Sequence, residues 1–133
     1  MDQQIKTLKI IHLSMVAGAT IAYTALGDFK NLFNMVIDNS SLFYAFIPAI
    51  AYVVGNILYR NILKNVQNQT GSNEKFAIYQ TASIGRWAII ESACFIILFL
   101  KPDFLLLGVI LLIYLILLAP RKSQILEVLN IKN

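Results

Sequence analysis

The sequence predicts an all-α, polytopic membrane protein with four transmembrane helices, and three observations support this. Hydrophobic residues make up 58% of the 133 positions and charged residues only 14%, whereas a soluble domain has about 25% charged residues. The apolar residues form four long runs and are not spread along amphipathic stripes, which favours membrane spans over a soluble core. Most lysine and arginine residues lie in the two tails and the middle loop, as expected for a single membrane domain.

The first span is predicted over residues 8–26, a mostly apolar run whose polar residues include His12, Ser14 and Thr20. It would form about 28 Å of helix. Because Lys6 and Lys9 come before or early in the run, a cleaved signal peptide is the alternative interpretation. The run is longer than the roughly 7–15 residues of a signal h-region and has no clear cleavage site, so a retained helix is favoured.

The second span is predicted over residues 42–63. Pro48 lies about two turns into this run, where it should kink the helix by removing one backbone hydrogen bond. Asn56 and Arg60 lie in the half of the run that we assign to the cytoplasmic side. The sequence KNVQNQTGSNE that follows predicts a polar loop.

The third and fourth spans are predicted over residues 78–100 and 102–119. The third carries two ionisable residues, Arg86 and Glu91, inside its apolar run. The fourth is almost entirely Leu, Ile and Val and begins at Pro102, a favourable first helical position. The tail, residues 121–133, has apolar side chains at spacings typical of a short amphipathic helix on the membrane surface.

Charge predicts the orientation. The tails and middle loop hold eight cationic residues: Lys6, Lys9, Arg60, Lys64, Lys75, Arg121, Lys122 and Lys132. The opposite loops hold Lys30 and Lys101. The positive-inside rule then requires an even number of spans and places both termini in the cytoplasm. We expect the protein in the cytoplasmic (inner) membrane of a bacterium.

Glu91 is the first candidate for chemistry, because it lies near the middle of the third span. A charged carboxylate at this depth costs about 2.5–3.5 kcal/mol on insertion scales. Burial favours the neutral, protonated form, which suits a proton or ion-binding site. The structural alternative is a buried carboxylate that holds helices together by hydrogen bonds.

Four further residues are counter-ion or pathway candidates. Arg86 is five residues from Glu91, about 140° around a helix, so the two do not form a good intrahelical pair. Arg60 is the other candidate counter-ion. His12 and Asn56, on the cytoplasmic halves of their spans, are predicted to line a polar path with Arg86 and Glu91, although an interfacial histidine is the plainer interpretation.

Small residues on the third span predict close helix packing. Thr81, Gly85, Ala88 and Ser92 recur at three- and four-residue spacing and form a narrow face that allows helices to approach. Arg86 lies off this face. We therefore expect the third span to be central and the leucine-rich fourth span to face lipid or another subunit.

Several functional classes find no support in the sequence. One histidine and one cysteine do not make a four-ligand zinc site, and no cofactor motif is present. Basic residues without interleaved aromatics argue against nucleic-acid binding. Enzymatic activity is not expected, since no clustered polar groups indicate a catalytic rim.

Residues 85–95, GRWAIIESACF, resemble the carboxylate-bearing helix of rotary ATP synthase c subunits. The preceding loop with Arg60-Asn61 is similar to the cytoplasmic turn of that family. The resemblance covers the second and third spans and implies that Glu91 binds a proton or sodium ion. The whole chain also resembles small four-helix bacterial membrane proteins to which no function is assigned.

The sequence therefore predicts a small membrane protein that works in a homo-oligomer or with other membrane subunits. In the leading hypothesis, Glu91 couples or transports protons or cations. In the alternative, the protein is a non-catalytic accessory or assembly subunit of an inner-membrane complex, and Glu91 and Arg86 make interchain contacts.

Overall fold

The computed structural model describes residues 2–27, 29–31, 33, 38–39, 42–100 and 102–129, and within these ranges the chain forms helices and no strand. The α-helices are α1 (Asp2–Leu26), α2 (Leu42–Ala45), α3 (Ile47–Leu63), α4 (Ser72–Leu100), α5 (Leu105–Leu117) and α6 (Lys122–Val128). Short 3₁₀ turns cover Phe29–Asn31, Lys64–Asn68 and Pro102–Phe104. The all-α prediction is confirmed over the described residues.

Two of these helices, α1 and α4, are long and apolar enough to cross a membrane. They have 25 and 29 residues, or about 38 and 44 Å of helix at 1.5 Å per residue. A third candidate span arises if residues 102–117 and α6 are counted together, although these segments are bent by 78°. Both long helices begin before the predicted spans, because polar residues extend each helix beyond its apolar run.

The second apolar run is divided into α2 and α3 at Phe46. The Phe46 amide donates to the Phe43 carbonyl at 3.1 Å, and the Phe46 carbonyl accepts from the Ile50 amide at 2.9 Å. The predicted kink two turns inside one helix is therefore wrong in position. Pro48 instead lies in the first turn of α3. A backbone N–H at that position has no intrahelical acceptor, so proline removes no hydrogen bond there.

Helix α4 is the centre of the fold, as its small residues predicted, since it packs against α1, α3 and α5. Trp87, Ile90 and Ile97 are fully buried along it. Gly85 lets α3 and α4 approach closely, because a Cβ there would lie 3.2 Å from Leu58, whereas a Cβ at Gly55 would make an ordinary contact of 3.4 Å with Arg86.

Helix α5 has one buried face and one exposed face. Leu111 and Leu115 belong to the core, whereas Ile110, Ile113 and Leu117 are about half or more exposed. This apolar outer face agrees with the expectation that the fourth run faces lipid or another subunit.

The tail forms α6, which differs from the predicted surface-lying helix. Ile125 and Leu129 are fully buried in the protein core, and Lys122 forms a 2.8 Å ion pair with Asp2 of α1. The apolar side chains are thus covered by protein, because the 78° bend after α5 turns α6 back onto the bundle. Residues 130–133 of the predicted tail lie outside the described residues.

Candidate functional site

Glu91 lies on α4, nine residues before the end of the helix at Leu100. That distance is about 14 Å along the axis, close to half of a hydrocarbon core of roughly 30 Å. The side chain is partly exposed. Among the described residues, its carboxylate makes no hydrogen bond and no ion pair. Helical geometry places it beside the faces that carry Trp87 and Cys94.

Arg86 points to the other side of α4, toward α3. Its guanidinium carbon lies 3.8 Å from the centroid of the Tyr59 ring, a cation–π contact that also satisfies the positive charge. Its stem runs past Gly55, and its Nε is buried without a hydrogen-bond partner in the described part of the chain. Arg86 is therefore paired with an aromatic ring and not with Glu91.

Asn56 belongs to the contact between α3 and α5. Its side-chain amide donates to the Tyr52 carbonyl at 2.8 Å and to the Tyr114 hydroxyl at 3.1 Å. The Tyr52 and Tyr114 rings lie 5.4 Å apart. Arg60, one turn further along α3, is exposed. Asn56 thus joins two helices, and Arg60 lies on the surface.

His12 is buried between α1, α4 and α5, with 6% of its surface exposed. Its Nε2 lies 2.7 Å from the Leu115 carbonyl oxygen. Its ring meets the Trp87 ring edge-on, with centroids 4.7 Å apart. Because a carbonyl oxygen only accepts, Nε2 carries the proton and donates. The His12 side chain therefore faces the protein interior, while the interfacial interpretation, which concerns depth in a membrane, stays a prediction.

The predicted residues fall in three separate places. His12 lies on the α1 side of α4, while Arg86, Asn56 and Arg60 lie on the α3 side. Glu91 lies between these two sides, at the exposed edge of α4. No hydrogen bond or ion pair joins any two of the five within the described residues. The described residues therefore do not form one continuous polar path through these five side chains.

A second interhelical junction, formed by Tyr23, Cys94 and Gly108, was missed by sequence reasoning. The Tyr23 hydroxyl donates to the Cys94 carbonyl at 2.6 Å, and the Cys94 thiol lies 3.8 Å from the Gly108 carbonyl. A Cβ at Gly108 would overlap the Tyr23 phenol ring. A glycine in the otherwise leucine-rich fourth run was the available signal, because glycine there marks close approach.

An apolar groove of about 620 Å³ opens between α2, α3 and α4. Its α4 wall includes Ala88 and Ser92, and its α3 wall includes Ile50 and Val54. The predicted small-residue face of α4 is thus divided, with Gly85 packed on α3 and the exposed Ala88 and Ser92 lining this groove.

In the described part of the chain, no group of three or more His, Cys, Asp or Glu side chains is placed to hold a metal ion. No family model, curated protein or solved structure matches the chain. The resemblance to rotary c subunits stays a prediction.

Proposed function

We propose that this chain is an integral membrane protein with four spans and both termini in the cytoplasm of a bacterium. Helices α1 and α4 supply two spans. The pair α2 and α3 covers the 22 positions of the second run, and the turn at Pro102–Phe104 with α5 would reach about 25 Å. Outward-facing apolar side chains on α1, α3 and α5, such as Leu13, Ile57 and Ile113, support immersion in lipid.

Within this topology, the proposed function is proton or cation coupling through Glu91, in an oligomer or larger membrane complex. The observation that carries the proposal is the position of this carboxylate: halfway along the apolar part of α4, partly exposed, and without a partner among the described residues. A carboxylate left charged there is costly. Taking up a proton or a cation removes that cost, which is the property that a coupling site uses.

Arg86, the arginine nearest to Glu91 in the sequence, does not neutralise the Glu91 carboxylate, so a proton or cation is still needed. Arg86 is directed toward α3 and stacked on Tyr59, so its charge is already placed against an aromatic face. The partial exposure of Glu91 also supports action in an assembly, since a second subunit would shield the site from lipid.

The alternative function is that of an accessory subunit, and the same exposure favours it. An unpaired carboxylate one residue before Ser92, which lines the open apolar groove, is suited to an interchain contact that fixes docking. In that case Glu91 meets a donor from another subunit, and its charge is satisfied on assembly.

The deciding experiment is an infrared titration of the purified protein in nanodiscs, with oligomeric size and proton flux measured on matched samples. Glu91→Gln is the test variant, and Glu74→Gln, at an exposed carboxylate in the first turn of α4, is the control. The coupling function predicts a protonated carboxyl band near neutral pH that only Glu91→Gln removes, together with changed flux and unchanged size.

A carboxylate ionised at every pH, with an assembly that dissociates in Glu91→Gln, would instead assign the accessory function. Loss of assembly in Glu74→Gln as well would mean that the acidic residues act through general charge and not through a specific site.

A further inference from the structure

The interior between α1, α4 and α5 contains two hydrogen-bond donors that have no protein partner in the described part of the chain. Ser83 and Trp87 are both fully buried, and neither the Ser83 Oγ nor the Trp87 Nε1 has a partner there. The residues are four apart on α4, so they lie on one face with about 5–6 Å between their Cβ atoms. Buried donors without partners are rare in folded proteins and call for a bound group.

His12 supplies the complementary acceptor. Its Nε2 carries the proton that is donated to the Leu115 carbonyl, so in the neutral ring Nδ1 is a hydrogen-bond acceptor. The His12 ring touches Trp87. One side of the α1–α4–α5 interior therefore presents an indole N–H, a hydroxyl and an imidazole acceptor in the same neighbourhood.

We propose that a buried water molecule binds at His12, Ser83 and Trp87. Water can accept from the Trp87 N–H and the Ser83 hydroxyl while it donates to His12 Nδ1. Two hydrogen bonds of about 2.9 Å span the separation between neighbouring turns of α4. The site offers at least two polar partners, the number that a buried water needs. Water matches a set of two donors and one acceptor without adding charge.

The proposed function gives this water a role. Trp87 lies four residues before Glu91, about 6 Å along the α4 axis toward the cytoplasmic side, and Ser83 lies a turn further. A water there would place an exchangeable proton between the cytoplasm and the carboxyl. This role rests on the proposed function, whereas the water site rests on the three buried groups alone.

The test uses the fact that the chain has one tryptophan. Full-length protein labelled with ¹⁵N-tryptophan in nanodiscs gives a single indole N–H signal, which belongs to Trp87. We expect a cross-relaxation peak between this proton and water, and an upfield shift of the indole proton in Ser83→Ala. The matched control is Ser92→Ala on the same helix, since the Ser92 hydroxyl is exposed and bonded to the Ala88 carbonyl.

An indole signal with no water peak in the wild-type protein would overturn the proposal, and so would an equal shift in the two serine variants. The wild-type measurement decides even if Ser83→Ala fails to fold. The same spectrum of Glu91→Gln separates the two hypotheses: a water peak that persists there while proton flux is unaffected supports the water site and contradicts the coupling function.

Discussion

The two sides of α4 are held together by different kinds of contact. On the α1–α4–α5 side, side chains donate to main-chain carbonyls of another helix: His12 to Leu115 at 2.7 Å and Tyr23 to Cys94 at 2.6 Å. On the α3–α4–α5 side, polar side chains mostly meet other side chains, as in the stacking of Arg86 on Tyr59. A carbonyl is fixed by its helix, whereas two side chains can move together.

We expect this difference to make the α1 side of α4 more rigid than the α3 side. The α1 side is closed, with Tyr23, Trp87 and Gly108 in close contact with their neighbours. The α3 side carries the apolar groove, and we expect its side-chain contacts to adapt by changes of rotamer. Substitutions of similar chemistry on the two sides should therefore have unequal effects.

The largest effect is expected from Gly108→Ala on the α1 side. The added Cβ would overlap the Tyr23 ring, which cannot move away because its hydroxyl is bonded to α4. Overpacking of this kind costs about 1–3 kcal/mol, which thermal unfolding in detergent would detect as a lower Tm. Gly18→Ala is the control, since a Cβ there meets nothing within 4 Å, and an equal Tm loss in both variants would contradict the clash.

Tyr23→Phe should have the next largest effect. It removes the donor to the Cys94 carbonyl and keeps the ring, so the free energy of unfolding should fall by about 1 kcal/mol, in the range measured for hydrogen bonds between membrane helices. Tyr52→Phe, at a tyrosine with 53% of its surface exposed, should change the Tm less. If the two variants unfolded alike, the interhelical bond would contribute no net stability.

Gly55→Ala sharpens the comparison from the α3 side. The nearest atom to a new Cβ is the Arg86 Cγ at 3.4 Å, which belongs to a flexible chain, and alanine favours a helix over glycine by about 1 kcal/mol. We expect an unchanged or slightly higher Tm. A loss as large as that of Gly108→Ala would show that the α3 side is as rigid as the α1 side.

The smallest effect is expected from Asp2→Asn, which breaks the exposed ion pair with Lys122. Exposed pairs contribute little and are screened by salt. The variant should expose α6 slightly more to proteolysis at low ionic strength, and the difference from the wild-type protein should vanish at high salt. A difference that is independent of salt would assign the effect to the fold of α1 and not to the pair.

The helices were predictable because their apolar runs leave few alternatives, and the central place of α4 followed from its small residues. The break at Phe46 was not predictable in position, since a proline signals a helix start and an interior kink with the same residue. The partners of His12 and Tyr23 were also beyond the sequence. Both side chains donate to a main-chain oxygen of a distant helix, and a main-chain oxygen carries no residue-specific signal.

The site was predictable in its residues but not in their grouping. Glu91 could be identified from the sequence because it is an acidic residue near the middle of a long apolar run. Arg86 was expected to be a counter-ion or a pathway residue for Glu91, yet it lies over Tyr59, because the angular position of a residue around α4 decides which neighbour its side chain meets. Periodicity gives that angle, but the identity of the neighbouring helix comes only from the three-dimensional packing.

The hydrogen bond of His12 also constrains the order of events during synthesis. The donor and the Leu115 carbonyl are separated by 103 positions. At a ribosome speed of about 5–20 residues per second, the acceptor emerges roughly 5–20 s after the histidine. During that interval the imidazole of α1 lacks the acceptor that it has in the folded protein, so this hydrogen bond forms only after α5 has been synthesised.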